Sequence, residues 1–300
     1  MSEAGTMEQL QLGDHVCAFV DGTNDGLDLI ARAVAAGLDA GDKVMVFTES
    51  LLPVAVLAGL EARGVAVAPA QRAGQVQVLP SPEVYLPAGR FEPARMLDSL
   101  TGHLEQAAAD GHPGLRLVGD MPWASGEPAA ADHMVAYEAQ VNRLYMEGRA
   151  LGVCLYDRRA FSRGLLQKVA RAHPATLIEG AAADATPLLR IRRTSHPYGL
   201  RLIGEADFSN ETALAAALDA VLDRQPDPVA PIVVDVEGLR FADASTAALL
   251  VRLTLRAPGG VHISGCHGTV AKALDRLGVT QLSKLHLTRA CDGAGTEMVA

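Results

Sequence analysis

A chain of 300 residues with 49% apolar composition can bury a substantial core, and its length favours two domains over one. Lys and Arg number 26 against 35 Asp and Glu, a formal charge of −9, which argues against direct binding of nucleic acid or of an anionic membrane. The start MSEAGTMEQLQLGD has neither the basic region nor the apolar core of a signal peptide, and no apolar run approaches the roughly 20 residues of a membrane span, so a cytoplasmic protein is expected.

Along residues 14–178 apolar strands alternate with Ala/Leu-rich helices, the pattern of an α/β layer with a largely parallel sheet. Strands are predicted at His15–Val20, Val44–Thr48, Val76–Leu79, Leu115–Gly119 and Leu151–Tyr156. Helices are predicted at 25–40, 51–63, 92–109, 130–148 and 159–172, each with apolar positions three and four apart. The small, polar stretch EGAAADATP marks a linker, with boundaries set at 179–186 between a first domain over 12–178 and a second over 187–290; residues 1–11 and 291–300 are expected as tails. The second half reads as the strands LLRIRRTS and YGLRLIGEAD, the helix ETALAAALDAVLDR, the strand PIVVDV, a helix from Ala244, the strand GVHISG, the helix TVAKALDRLGV and the strand KLHLT.

Four cysteines, Cys17, Cys154, Cys266 and Cys291, form no C-x-x-C pair and are too sparse for a disulfide framework, so reduced thiols are expected. His15 and Cys17 are two apart on a strand and so face the same side. Glu49, Asp120, Trp123 and Tyr156 follow predicted strands, where open α/β sheets place ligands. Trp123, the only tryptophan, suits either an apolar pocket wall or packing against the next helix. Glu138 and Arg116 are expected to pair, and His173 in AHPAT to cap a helix end. A nucleotide-hydrolysing loop would need a Lys after the first strand. FVDGTNDGLDLI has no Lys or Arg and three Asp instead, so ATP hydrolysis is rejected, and with no H-E-x-x-H or G-x-S-x-G either, no enzyme is expected.

The blocks GDHVCAFVD, GLDAGDKVMVFTES, GLRLVGDMPWASG, YEAQVNRL, LGVCLYDRRAF and RAHP, in that order, resemble the methanogen/methylotroph sensory (MEDS) domain, a sensor relative of RecA/KaiC-type ATPases with a degenerate phosphate loop. That resemblance implies a sensor of a small organic ligand that stays unidentified, with no cofactor assigned. In a RecA-like sheet the first strand would neighbour the one carrying Cys154, bringing His15, Cys17 and Cys154 together. Such groups serve metal, haem or redox sensing, or are simply core; no metal is assigned. The ligand-sensing set is therefore His15, Cys17, Glu49, Asp120, Trp123, Cys154 and Tyr156.

The blocks LIGEADFSNETALAAAL, IVVDVEGLRFADAST and GGVHISGCHGTVAKALDRLGV resemble the STAS domain of anti-sigma factor antagonists. The resemblance implies an anti-sigma factor with serine-kinase activity as partner, Asp243 as the family's Asp and Ser245 as the phosphoacceptor. Thr246, where relatives carry Gly, is the alternative acceptor. Independently of it, Asp243 can cap the helix that begins at Ala244, which puts Ser245 in the first turn near the positive end of the helix dipole. Asp207 and Ser209 line the same surface or cap the preceding helix. The expected function is a signal-responsive anti-sigma factor antagonist. The alternative is a non-phosphorylated ligand-sensing scaffold that assembles with other STAS proteins, and a homodimer is left open.

Overall fold

The computed structural model describes residues 6–125, 128–177, 189–278 and 282–289; the expected linker and C-terminal tail, with Cys291, lie outside them. The first half runs β1 (His15–Val20), α1 (Thr23–Ala40), β2 (Lys43–Thr48), α2 (Pro53–Ala62), α3 (Val67–Arg72), β3 (Val76–Pro80), α4 (Ser81–Tyr85), α5 (Pro93–Ala109), β4 (Leu115–Asp120), α6 (Pro128–Tyr145), β5 (Ala150–Asp157), α7 (Arg163–Ala172) and β6 (Ala175–Leu177). Its strands form one six-stranded sheet in the order β3-β2-β4-β5-β1-β6, with every pairing parallel. A parallel sheet is covered on both faces, and accordingly β2 and β4 are buried along their whole length.

The two faces carry separate cores. Val16, Ala18, Val46 and Val153 pack with Ile30 and Val34 of α1, while Cys17, Phe47, Cys154 and Tyr156 pack with Leu100 of α5, Met134 of α6 and Val169 of α7. β1 lies beside β5 with Cys17 opposite Cys154, the neighbour relation expected of the sheet. The elements sequence periodicity did not mark are the short ones: β6 has 3 residues, α4 has 5 and α3 has 6, too few to show a period. Within the stretch expected as an N-terminal tail, Met7 and Leu10 are buried in the core.

The second half runs β7 (Leu189–Ser195), β8 (Tyr198–Ala206), α8 (Glu211–Asp223), β9 (Ile232–Ala242), α9 (Ala244–Arg256), β10 (Val261–Cys266), α10 (Gly268–Arg276) and β11 (Leu285–Arg289). Its sheet has the order β11-β10-β9-β8-β7, antiparallel only between β7 and β8. Leu202, Val234, Val236 and Ile263 pack under Leu214 and Leu218 of α8, Leu250 and Leu253 of α9, and Leu274 of α10. β9 extends past the predicted PIVVDV to Ala242, so that Asp243 alone separates the strand from α9. No described helix is long and apolar enough to cross a membrane.

Candidate functional site

Two constellations of polar side chains stand out, one buried in the first half and one at the surface of the second. The buried one is centred on Glu138 of α6, whose side chain is 1% exposed. Its Oε1 accepts the Tyr156 hydroxyl at 2.6 Å. Its Oε2 lies 3.3 Å from His15 Nε2, 3.4 Å from His173 Nε2 and 3.8 Å from Cys154 Sγ. Cys154 Sγ is in turn 3.5 Å from His15 Nε2. The alternation of a strand sends His15 and Cys154 to the same face of the sheet as Tyr156. The i, i+4 spacing on α6 puts Asn142 one turn beyond Glu138.

Asn142 fixes the chemistry of His15. Its Nδ2 donates to the carbonyls of Glu138, Ala139 and Ala172 at 2.9 to 3.1 Å, which leaves Oδ1 as the acceptor facing His15 Nδ1 at 2.9 Å. His15 therefore carries its proton on Nδ1. His173 likewise donates from Nδ1 to the Val169 carbonyl at 2.9 Å, and its buried Nε2 has no hydrogen-bond partner among the described residues. Both imidazoles thus turn a bare Nε2 toward one carboxylate oxygen. Burial and the neighbouring His173 push His15 below its ordinary value. The Cys154 thiol is pushed well up by burial and by Glu138.

Close packing of rings completes the site. His15 stacks on Tyr145 at 4.4 Å and lies 4.2 Å from the His173 ring. Gly152 makes room for this: a Cβ there would lie 2.5 Å from Tyr145 and 2.9 Å from His15.

Of the expected sensing residues, His15, Cys154 and Tyr156 come together here. Cys17 faces the same side, but its thiol contacts Thr176 Oγ1 at 3.3 Å, and burial raises its pKa to about 12. Asp120 instead ties down the β2–α2 turn, accepting from Glu49 N–H at 3.1 Å and Ser50 N–H at 2.7 Å. Burial, then the Asp120 charge, raises the Glu49 carboxyl. Trp123 stacks on Tyr85 at 4.8 Å and contacts Phe91, in the core rather than on the cluster. At the β1–α1 turn Gly22 (φ 135°) abuts the guanidinium of Arg159, which is held by Asp157, so the positive charge at this turn is already engaged.

One expectation is corrected. Arg116 pairs with Asp42 at 3.2 Å and not with Glu138, because alternation along β4 turns Arg116 to the α1 face beside Gly37, whereas Leu115 and Leu117 face α6 on the other side. His173 ends α7 as expected, and its Nδ1 donates to the last-turn carbonyl of Val169 while the ring turns into the core.

The surface constellation lies at the start of α9. Asp243 Oδ1 accepts from Thr246 N–H at 2.9 Å and from the Ser245 hydroxyl at 2.8 Å, and Oδ2 accepts from Phe208 N–H at 3.0 Å. One carboxylate therefore caps the helix and also pins the loop after β8. Partial burial pushes Asp243 up, and these hydrogen bonds more than reverse it, leaving its pKa lowered. In the pinned loop Asp207 Oδ1 accepts both Ser209 N–H and its hydroxyl, and Phe208 is 59% exposed. The cap of α8 is Asn210, so neither Asp207 nor Ser209 occupies that position. Thr246 is 1% exposed and its hydroxyl donates to the Ala206 carbonyl, beneath the loop that Asp243 pins.

The two halves meet along β7 and α8. Asp14 binds Arg190 at 3.1 Å and Arg192 at 2.8 Å, and Gly13, at φ 98°, lets the Arg192 guanidinium lie against the backbone. Met146 is buried in the core of the second half. Asn210 Nδ2 reaches the Pro174 carbonyl at 3.4 Å, and the Arg171 guanidinium lies 3.3 Å from the centre of the Phe208 ring.

Comparison with known families accords with this architecture. The chain belongs to the MEDS family: the model of the methanogen/methylotroph, DcmR sensory domain matches residues 14–174. The model described as the Mlab, STAS domain matches residues 189–287, so the two expected families occur in the expected order. The transcriptional repressor DcmR of Methylorubrum extorquens is 30% identical over 155 residues, 51% of this chain and 56% of that protein, so the chain spans little more than half of that relative's length. Among solved structures, flagellar accessory protein FlaH of Methanocaldococcus jannaschii is 9% identical with a TM-score of 0.42, over 68% of this chain and 82% of that one. A KaiC-like protein of Pyrococcus horikoshii is 10% identical with a TM-score of 0.42, over 64% of this chain and 77% of that one.

Proposed function

We propose that the chain is a signal-responsive anti-sigma factor antagonist. Its MEDS half senses a small ligand, and its STAS half holds a serine-kinase anti-sigma factor until Ser245 is phosphorylated. The observation that carries the reading is the double duty of Asp243. A partner resting on Ser245 and the exposed Phe208 touches two segments that one carboxylate holds together. A phosphate on Ser245 removes the hydroxyl donor and sets about two negative charges beside Asp243. At the 2.8 Å of the present hydrogen bond, repulsion of that size outweighs the roughly 0.3–1 kcal/mol that the helix dipole returns. Asp243 then loosens its hold on Phe208 N–H, and the partner loses a charge match and a shaped surface at once.

Two chain adjacencies support communication between the halves. Asp14, the interface acid, immediately precedes His15, and His173 immediately precedes Pro174, whose carbonyl meets Asn210. Both imidazoles of the buried cluster are thus one residue from a contact with the STAS half. A ligand that shifts either ring pulls directly on the interface. Mixing the full chain with a serine-kinase anti-sigma factor and ATP is expected to place phosphate on Ser245 and dissociate the complex, while Ser245→Ala stays bound. Absence of binding by both proteins would overturn the reading.

The scaffold reading is favoured by one observation, that the Ser245 hydroxyl is already hydrogen-bonded and Thr246 is buried, which suits a surface never modified. A large mixed assembly with other STAS proteins, measured by light scattering, would favour it over a small complex with a kinase.

A further inference from the structure

The buried cluster offers four donor atoms of three chemical kinds, all within 4.8 Å of one another: Nε2 of His15 and His173, Sγ of Cys154 and a carboxylate oxygen of Glu138. We propose that these four side chains bind a divalent transition-metal ion of the zinc type, one per chain, in a closed tetrahedral site.

The size of the cage is the first argument. Ligand bonds of about 2.1 Å in a regular tetrahedron give ligand-to-ligand edges of about 3.4 Å. The edges from Glu138 Oε2 to the other three donors are 3.3, 3.4 and 3.8 Å, and the edge from Cys154 to His15 is 3.5 Å. The two remaining edges, from His173 Nε2 to His15 and to Cys154, lie within 4.8 Å, so closing on an ion draws the His173 imidazole toward the other donors.

The second argument is the unpartnered group. His173 Nε2 is fully buried and without a hydrogen bond, and it points at an oxygen that also faces the bare Nε2 of His15. Two lone pairs against a carboxylate repel in a dry site, and a cation between them converts all three contacts into bonds. The hydrogen bonds around the cage are those of metal-binding imidazoles: each ring's Nδ1 is held by an oxygen acceptor, from Asn142 or Val169, which fixes Nε2 as the donor to the ion. Tyr156 holds the other oxygen of Glu138.

The third argument is charge. On binding, the Cys154 thiol gives its proton to solvent, and one thiolate, one carboxylate and two neutral imidazoles sum to two negative charges, which a divalent ion cancels in the low-dielectric core. A thiolate with two imidazoles favours zinc or cobalt over magnesium or calcium. Burial of all four ligands makes the ion a resident one, acquired as the chain folds. The assignment does not depend on the regulatory reading, since a chain that binds no anti-sigma factor could still hold the ion.

The test uses the full chain. Elemental analysis of protein purified without chelator is expected to give about one zinc-type ion per chain. Refolding from denaturant and chelator with cobalt(II) is expected to give the intense visible bands of four-coordinate cobalt and a near-ultraviolet thiolate charge-transfer band. The band should vanish in Cys154→Ser and persist in Cys17→Ser, whose thiol faces Thr176. Should Cys154→Ser fail to fold, X-ray absorption of the zinc-loaded wild type decides, with one sulfur at about 2.3 Å and three nitrogen or oxygen ligands at about 2.0–2.1 Å expected. Native protein that is metal-free and takes up no cobalt on refolding would overturn the assignment and leave a buried ion pair. So would a charge-transfer band unchanged in Cys154→Ser, or a first shell without sulfur.

Discussion

Glu138 and Asp243 are both carboxylates at the centre of a hydrogen-bond network, and they differ in what surrounds them. Glu138 is sealed among two imidazoles, a thiol and a phenol. Asp243 is half-buried, and its partners are two backbone N–H groups and a serine hydroxyl. In the dry core a charge must be balanced by the groups that touch it, so Glu138 is tied to a fixed set of neighbours. At the helix end water and the dipole share the charge, so the network of Asp243 can be rearranged at small cost. The first is suited to hold something, the second to change state.

The contrast is broken most severely at Glu138. Glu138→Ala removes the only carboxylate facing His15, Cys154 and His173 among the described residues and strands the Tyr156 hydroxyl. We expect a loss of about 3–5 kcal/mol, read as a lowered midpoint in urea denaturation. Replacement at a similar depth but between the halves sharpens the comparison. Asp14→Ala leaves Arg190 and Arg192 without their acid, but both guanidiniums are near enough to solvent to hydrate, so about 2–3 kcal/mol is expected. Its distinguishing signature is the shape of the transition: calorimetry should show one unfolding event resolve into two as the halves uncouple.

Asp243→Ala is expected to cost about 1–2 kcal/mol, the range for loss of a helix cap with a second pinned N–H. Its pH dependence follows in sign from the lowered pKa. The group favours the folded state when ionised, so its contribution is full above the ordinary aspartate value of about 3.9 and is lost as pH falls through the lower folded value. The stability difference between wild type and Asp243→Ala should therefore be constant through neutral pH and shrink below about pH 4.

The sequence made the strands and long helices legible because their apolar periods are long and uninterrupted, and strand alternation put His15 and Cys17 on one face of the sheet. It did not reveal the centre of the cluster. Glu138 and Asn142 are one turn apart in the quoted block YEAQVNRL, a spacing that marks a shared helix face. Which face meets the sheet depends on how α6 crosses β5, and that is set by tertiary packing. His173 sits before Pro174, a context that reads as a helix end and is one; only the side chain's inward turn makes it part of the cluster. Ser245 and Thr246 are likewise told apart only by packing, since the first turn of α9 passes from half-buried to buried between them.

The smallest effect on stability and the sharpest test of the contrast belong to Ser245. Ser245→Ala deletes one hydrogen bond to Asp243 and leaves the cap bond from Thr246 N–H, so about 0.5–1 kcal/mol is expected. Ser245→Glu removes the same donor and adds a carboxylate beside Asp243, opposed by the favourable dipole of α9. With like-charge repulsion the larger of the two in a half-solvated site, Glu should be less stable than Ala by up to about 1 kcal/mol at low ionic strength. The gap should close as salt screens the pair. A gap that does not respond to salt would mean that the side chains clash sterically and that charge is not what this surface reads. A gap that closes would mean that α9 tolerates a charge at this position while the loop pinned by Asp243 gives way, which is what a surface built to change state requires.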